Sequence, residues 1–104
     1  MIVVSVMYPN TAGSKFDQDY YLATHIPLVN KHWAGNGLEG VKLVKGMAGG
    51  GPEEPPTYQI MAHLEFSSIE AFQNCLGKGG DEVMADVANF TDVKPILQIS
   101  EQFG

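Results

Sequence analysis

The chain has 104 residues and a formal charge of −6, from 6 basic and 12 acidic side chains. That is enough for one domain with one core, and its acidity disfavours phosphate backbones and anionic membranes as partners. It offers no run of the roughly 20 apolar residues that a membrane helix needs, and its single cysteine, Cys75, rules out an intrachain disulfide.

Ile2-Val3-Val4-Ser5-Val6-Met7 alternates, is rich in β-branched residues and ends at the turn signal Tyr8-Pro9-Asn10. It reads as a strand rather than a signal peptide, which makes a soluble cytoplasmic protein the expectation. Ser14 with Asp17 resembles a capping box, and a 3.6-residue period then runs from Phe16 to about Trp33, stopping near Gly35-Asn36-Gly37. Residues four apart share a helix face. Asp17, Tyr21 and His25 are therefore expected as a polar row beside the packing positions Leu22, Ile26, Val29 and Trp33. Pro27 has no N–H and crowds the carbonyl four residues back, which predicts a bend near His25.

Residues 40–47 read as a second strand, followed by the loop Gly49-Gly50-Gly51-Pro52-Glu53-Glu54-Pro55-Pro56. A phosphate-binding reading of those glycines fails, because Walker A needs a lysine and a hydroxyl where Pro52 and Glu53 stand. Residues 57–66 alternate, with Tyr58, Ile60, Ala62, Leu64 and Phe66 on one face and Gln59, Met61, His63 and Glu65 on the other. Ser67 and Glu70 suggest a second capping box before Ile69, Phe72, Cys75 and Leu76, and Gly77-Lys78-Gly79-Gly80 stops that helix. Cys75 on this apolar side reads as a packing residue. A short helical piece from Asp81 to about Ala88 follows, then a fourth strand over Asp92 to Gln102, with Pro95 favouring an edge.

Strand, helix, strand, strand, helix, strand is the ferredoxin-like order, an α+β fold with a four-stranded antiparallel sheet in a single domain over residues 1–104. Helices would cover one sheet face and leave the other carrying Ser5, Met7, Gln59, Met61, His63, Glu65, Ile96, Gln98 and Ser100. Half apolar and half polar, that face suits closure by a second copy around a cavity between two sheets.

Four segments carry a resemblance: the strand from Met1 to Tyr8; Phe16-Asp17-x-Asp19-Tyr20-Tyr21-x-x-x-His25-x-Pro27-Leu28; Gly46-x-Ala48-Gly49-Gly50; and Asn89-Phe90-Thr91-Asp92-x-x-Pro95-x-x-Gln98-x-Ser100. Over nearly the whole chain the sequence resembles the EthD family, named for a protein encoded with ethyl tert-butyl ether degradation genes, whose members resemble dimeric α+β barrels. The resemblance implies a homodimer of facing sheets and a role beside oxidative catabolism of small apolar compounds such as ethers or aromatics. Related barrels include cofactor-free oxygenases, cyclases, lactone isomerases and haem-handling proteins.

Given that motif, His25 is the expected acid or base, its ordinary pKa of about 6.5 suiting neutral pH, with Tyr21 tuning it or donating to an oxyanion. The alternative is a capping or core-edge histidine. His63 would face the barrel as a second acid or base, against a structural reading as an interface histidine; His32, near a helix C-terminus, reads as structural. Gln59 and Gln98 would fix substrate oxygens, Met7 and Met61 would line the cavity, and Asp92 would sit at its mouth or cap a turn. The spacing holds no His-x-x-x-His or Cys-x-x-Cys metal signature. The expectation is a small apolar, oxygen-bearing ligand handled by cofactor-independent acid or base chemistry. The alternatives are a non-catalytic accessory to an oxygenase, or an oxidoreductase using oxygen directly or a haem bound through His25 or His63.

Overall fold

A computed structural model describes residues 1–104 and contains four strands: β1 (Ile2–Pro9), β2 (Leu38–Lys45), β3 (Tyr58–Phe66) and β4 (Ile96–Glu101). They form one antiparallel sheet in the order β2-β3-β1-β4, the ferredoxin-like arrangement expected from the element order. Between β1 and β2 the chain is helical in three consecutive segments, α1 (Gln18–Tyr20), a π-helical turn (Tyr21–His25) and α2 (Ile26–Trp33). Between β3 and β4 lie α3 (Ile69–Leu76), α4 (Gly80–Asp86) and a 3₁₀ turn (Val87–Asn89).

Period-two alternation decides which sheet face is covered. Val4 and Tyr8 of β1, and Ile60, Ala62, Leu64 and Phe66 of β3, are buried under the helices with Val29, Trp33, Phe72, Cys75 and Val83. Each large apolar side chain among them contributes about 1.5–3 kcal/mol by leaving water. Cys75 packs at the core and its thiol reaches the Asn36 carbonyl at 3.3 Å. The opposite face carries Val3, Ser5 and Met7, which pair across to Glu65, His63 and Met61 on one side and to Ser100, Gln98 and Ile96 on the other. Lys42 and Val44 extend that face from β2. It has no covering layer, as anticipated.

Several boundaries differ from the sequence reading. β2 begins at Leu38, because that residue already pairs with Phe66, and it ends at Lys45, where Gly46 turns its N–H to the Gln59 carbonyl. Met47 is thus outside the strand and fully exposed. β4 begins at Ile96 rather than Asp92, since Pro95 has no N–H for the ladder, and Thr91 pairs with Phe16 instead. Neither capping box forms at its expected serine. Asp17 caps α1 by accepting from the Tyr20 N–H at 3.0 Å, while Ser14 receives the Gln59 amide. At α3 the cap is Ser68, which accepts from Ala71, whereas the Ser67 N–H bonds to Gly37. Gly79 takes a left-handed φ of 86° between α3 and α4, and a Cβ there would lie 2.5 Å from the His32 ring. The glycine-rich loop closes on itself, Gly49 N–H to Glu54 O at 2.7 Å and Gly51 N–H to the Glu54 carboxylate at 3.2 Å.

A candidate active site beneath the helices

The helical region before β2 changes register at the residues expected to carry chemistry. Tyr21 N–H bonds to the Asp17 carbonyl, four residues back, but Ile26 N–H bonds to Tyr21, five residues back. Pro27 follows immediately, and its missing N–H makes the switch cheap, because no donor is stranded where the ladder slips. The wide turn keeps residues four apart in line. Tyr21 and His25 consequently stack, ring centroids 5.5 Å apart and planes 18° from parallel. Both belong to the packed face, exposed by only 3% and 5%, whereas Leu22 is 58% exposed. The expected polar row beside an apolar stripe is thus corrected: Tyr21, His25, Val29 and Trp33 are the buried line, and Asp17 is left at the surface.

Burying an imidazole requires a partner for it, and α4 supplies one. Asp86, the last residue of α4, lies with Oδ2 at 2.9 Å from His25 Nδ1. Its other oxygen accepts the Tyr20 hydroxyl at 2.6 Å and the Asn89 amide at 3.0 Å. Burial alone would raise the Asp86 carboxyl, but the bonds from Tyr20, Asn89 and His25 outweigh it and hold the carboxyl below its ordinary value. Burial lowers the His25 pKa, and Asp86 offsets this only in part. The pair therefore rests as carboxylate and neutral imidazole. A carboxylate can only accept, so Nδ1 carries the proton and Nε2 keeps its lone pair.

Nε2 has no partner in the protein, and His25 lines an apolar cavity of about 50 Å³ between the helices and the sheet. Fifteen of its 17 lining residues are hydrophobic, among them Tyr8 and Tyr21 as well as Val29, Trp33, Ala62 and Leu64. Burial raises the phenol pKa of both tyrosines, so both keep their protons. Phe90 holds this end together, its ring 4.6 Å from His25, 5.0 Å from Tyr21 and 5.8 Å from Tyr8. Leu76, Met84 and Leu97, all substantially exposed, border the cavity on its outer side. An anchored base, two protonated phenols and an apolar lining suit a ligand with few polar atoms.

The sequence-predicted site separates into two groups. His25 and Tyr21 meet in this cavity. His63, Met61, Met7 and Gln98 lie on the opposite, uncovered sheet face, where His63 Nδ1 is 2.8 Å from the Ser5 hydroxyl and Gln98 donates to Ser100 at 3.1 Å. Gln59 spends its amide on the Pro9 carbonyl and Ser14, at 3.0 and 3.1 Å. Asp92 accepts from the Lys15 N–H at 2.9 Å and ties two loops together. Asp86, Tyr8, Tyr20 and Asn89 escaped sequence reasoning. Tyr8 was visible as a strand-end residue on the buried phase, but Asp86 meets His25 across 61 positions that no local period connects. No three His, Cys, Asp or Glu side chains converge in a way that could hold a metal ion, and no helix is long and apolar enough to cross a membrane.

The EthD domain profile matches residues 12–94. The chain belongs to the EthD family. It is similar to the crystal structure of an EthD-like protein from Ralstonia eutropha JMP134, with 38% identity and a TM-score of 0.89 over 96% of this chain and 89% of that one. An ethyl tert-butyl ether degradation (EthD) family protein from Bacillus halodurans C-125 shares the fold at 21% identity and a TM-score of 0.76, over 99% of each chain. No curated protein matches the chain in sequence. The matched span contains both His25 and Asp86, so the pair lies within the family domain rather than in an appended segment.

Proposed function

We propose that this EthD-family protein takes a small apolar, oxygen-bearing compound into the cavity under its helices and performs acid or base chemistry on it without a cofactor. The observation that carries this reading is the His25 imidazole, held through Nδ1 by Asp86, with Nε2 left unpartnered, in the lining of an apolar space. His25 moves the proton, Asp86 orients it, and Tyr21 donates to the oxygen. In this arrangement His63, Gln59, Gln98, Met7, Met61 and Asp92 act outside substrate contact. The uncovered sheet face, with Val3, Met7, Val44, Met61 and Ile96, is closed by a second copy in a homodimer. A role in ether or aromatic catabolism, beside an oxygenase and in the cytoplasm, is the setting we assign; the name of the Bacillus halodurans neighbour refers to ethyl tert-butyl ether. The predominance of hydrophobic lining also favours a second reading, an accessory protein that shields such a compound without altering it.

The test is titration of the protein with tert-butyl ethers, ketones and phenols while the His25 ring nitrogens are followed by NMR. Binding of at least one class that shifts Nε2 supports the site, and product formation that is lost in His25→Gln separates the enzyme from the carrier. If none of the three classes perturbs His25 at millimolar concentration, the reading fails.

A further inference from the structure

Two tyrosines that line the cavity carry hydroxyls that the fold leaves unused. Neither Tyr8 nor Tyr21 hydrogen-bonds to any protein group through its phenol, although both rings are almost wholly buried. No buried side-chain nitrogen or oxygen is sealed in without a partner, so each of these hydroxyls keeps some accessible surface, and both residues line the cavity. A buried donor without a partner costs stability unless something else satisfies it. Phenylalanine would pack as well at either position, since the rings already stack edge to face, 6.1 Å apart. The hydroxyls therefore have a use that packing does not explain. Trp33, the other donor in the lining, is already committed to the Lys78 carbonyl at 3.0 Å. No Asp, Glu, Lys or Arg lines the space, so a carboxylate, phosphate or ammonium ligand would enter without a counter-charge.

Resting on the function proposed above, we infer that Tyr8 and Tyr21 form a two-donor site for one oxygen, and that the substrate is a neutral, apolar ketone or aldehyde with an acidic C–H beside its carbonyl. His25 Nε2 takes the proton from that carbon, and the C–H electron pair becomes a C=C bond. The carbonyl π pair moves onto oxygen, where the two phenols hold the enolate. In a β,γ-unsaturated ketone the same proton returns from Nε2 to the γ carbon, the oxygen pair re-forms the carbonyl as the C=C bond shifts to the α,β position, and the imidazole is restored. Atoms and electrons balance with no oxidant or reductant. Tyr8 is then a catalytic residue that no sequence motif suggested. The cavity is smaller than the roughly 150 Å³ that holds benzene in an engineered core, so a ring-sized ligand requires displacement of exposed lining residues such as Met84 and Leu76.

Cyclopentanone and cyclopentane, alike in shape but differing in the oxygen, are the probes. Their binding is read by NMR shifts of His25 and its neighbours, and base chemistry by deuterium uptake into cyclopentanone in D₂O. Tyr8→Phe is expected to weaken cyclopentanone about tenfold, the worth of one hydrogen bond, to leave cyclopentane unchanged, and to slow deuterium uptake by about 100-fold or more. Tyr21→Phe should do the same, with near-UV circular dichroism confirming that each variant is folded. If cyclopentanone binds at His25 but Tyr8→Phe changes neither its affinity nor its exchange, the two-donor site is overturned and the proposed function survives. Wild type that binds cyclopentane but not the ketone also overturns it. If neither probe perturbs His25, and ethers and phenols fail as well, the proposed function falls and this inference with it.

Discussion

Replacing Asp86 by asparagine tests the centre of the site, because the change is nearly isosteric yet inverts one hydrogen bond. In the wild type, one carboxylate oxygen accepts from Tyr20 and Asn89 and the other from His25. Asparagine has one acceptor oxygen, and two donors claim it, so its NH₂ is left facing His25 Nδ1. That donor requires Nδ1 to accept, and the ring proton moves to Nε2, where no lone pair remains for base chemistry. One charge-assisted bond is lost and a neutral one takes its place, so the expected destabilisation is about 1–2 kcal/mol, or about 5–10 °C in Tm for a domain of this size. The His25 pKa, already lowered by burial, falls further, because the carboxylate that opposed burial is gone. Ring ¹⁵N NMR reads both effects: an Nδ1–H tautomer in the wild type and an Nε2–H tautomer titrating at lower pH in Asp86→Asn. An unchanged tautomer, or a His25 pKa that rises, refutes the assignment of Asp86 as the group that orients the imidazole.

The same pair makes stability depend on pH. His25 titrates in the folded state below its ordinary value of 6.5, so the folded protein takes up its proton less readily than the unfolded chain. Stability is therefore complete above that value and declines as pH falls through the folded pKa; His25→Gln should flatten this slope in urea melts taken as pH falls below about 6.5. Asp86, lowered from 3.8, adds a second loss at still lower pH, which Asp86→Asn should remove. Phe90→Ala, at a buried ring in contact with Tyr8, Tyr21 and His25, should cost about 3–5 kcal/mol by the cavity it leaves, measured by denaturant unfolding. Ser68→Ala should cost about 1 kcal/mol as a lost N-cap of α3, while Ser67→Ala should change stability by only a few tenths; the reverse order in thermal melts would restore Ser67 as the cap.

Alternation in residues 2–8 and 58–66 was enough to assign two central strands and the face each buries, because a strand's period of two leaves only one way to bury its apolar set. The helix was legible in extent but not in phase. A 3.6-residue period cannot anticipate a turn that closes five residues back, and that turn moved Tyr21 and His25 from the edge of the packed face to its centre. Cap positions failed by one residue at Ser67 because adjacent serines offer the same oxygen, and only backbone geometry selects Ser68.

The chain's own order of strands and helices determined the α+β fold, the covered and open sheet faces, and His25 as the residue to watch. These follow from local periodicity and from chemistry carried by single side chains. Tertiary structure placed the candidate site on the helix side of the sheet, brought Asp86 and Tyr8 to it, and left His63 on the other face. A carboxylate 61 positions from its imidazole, and a tyrosine that lines a cavity rather than merely filling a core, acquire their roles from long-range packing. Packing sets which groups lose their water and which partner replaces it, and no run of neighbouring residues encodes that.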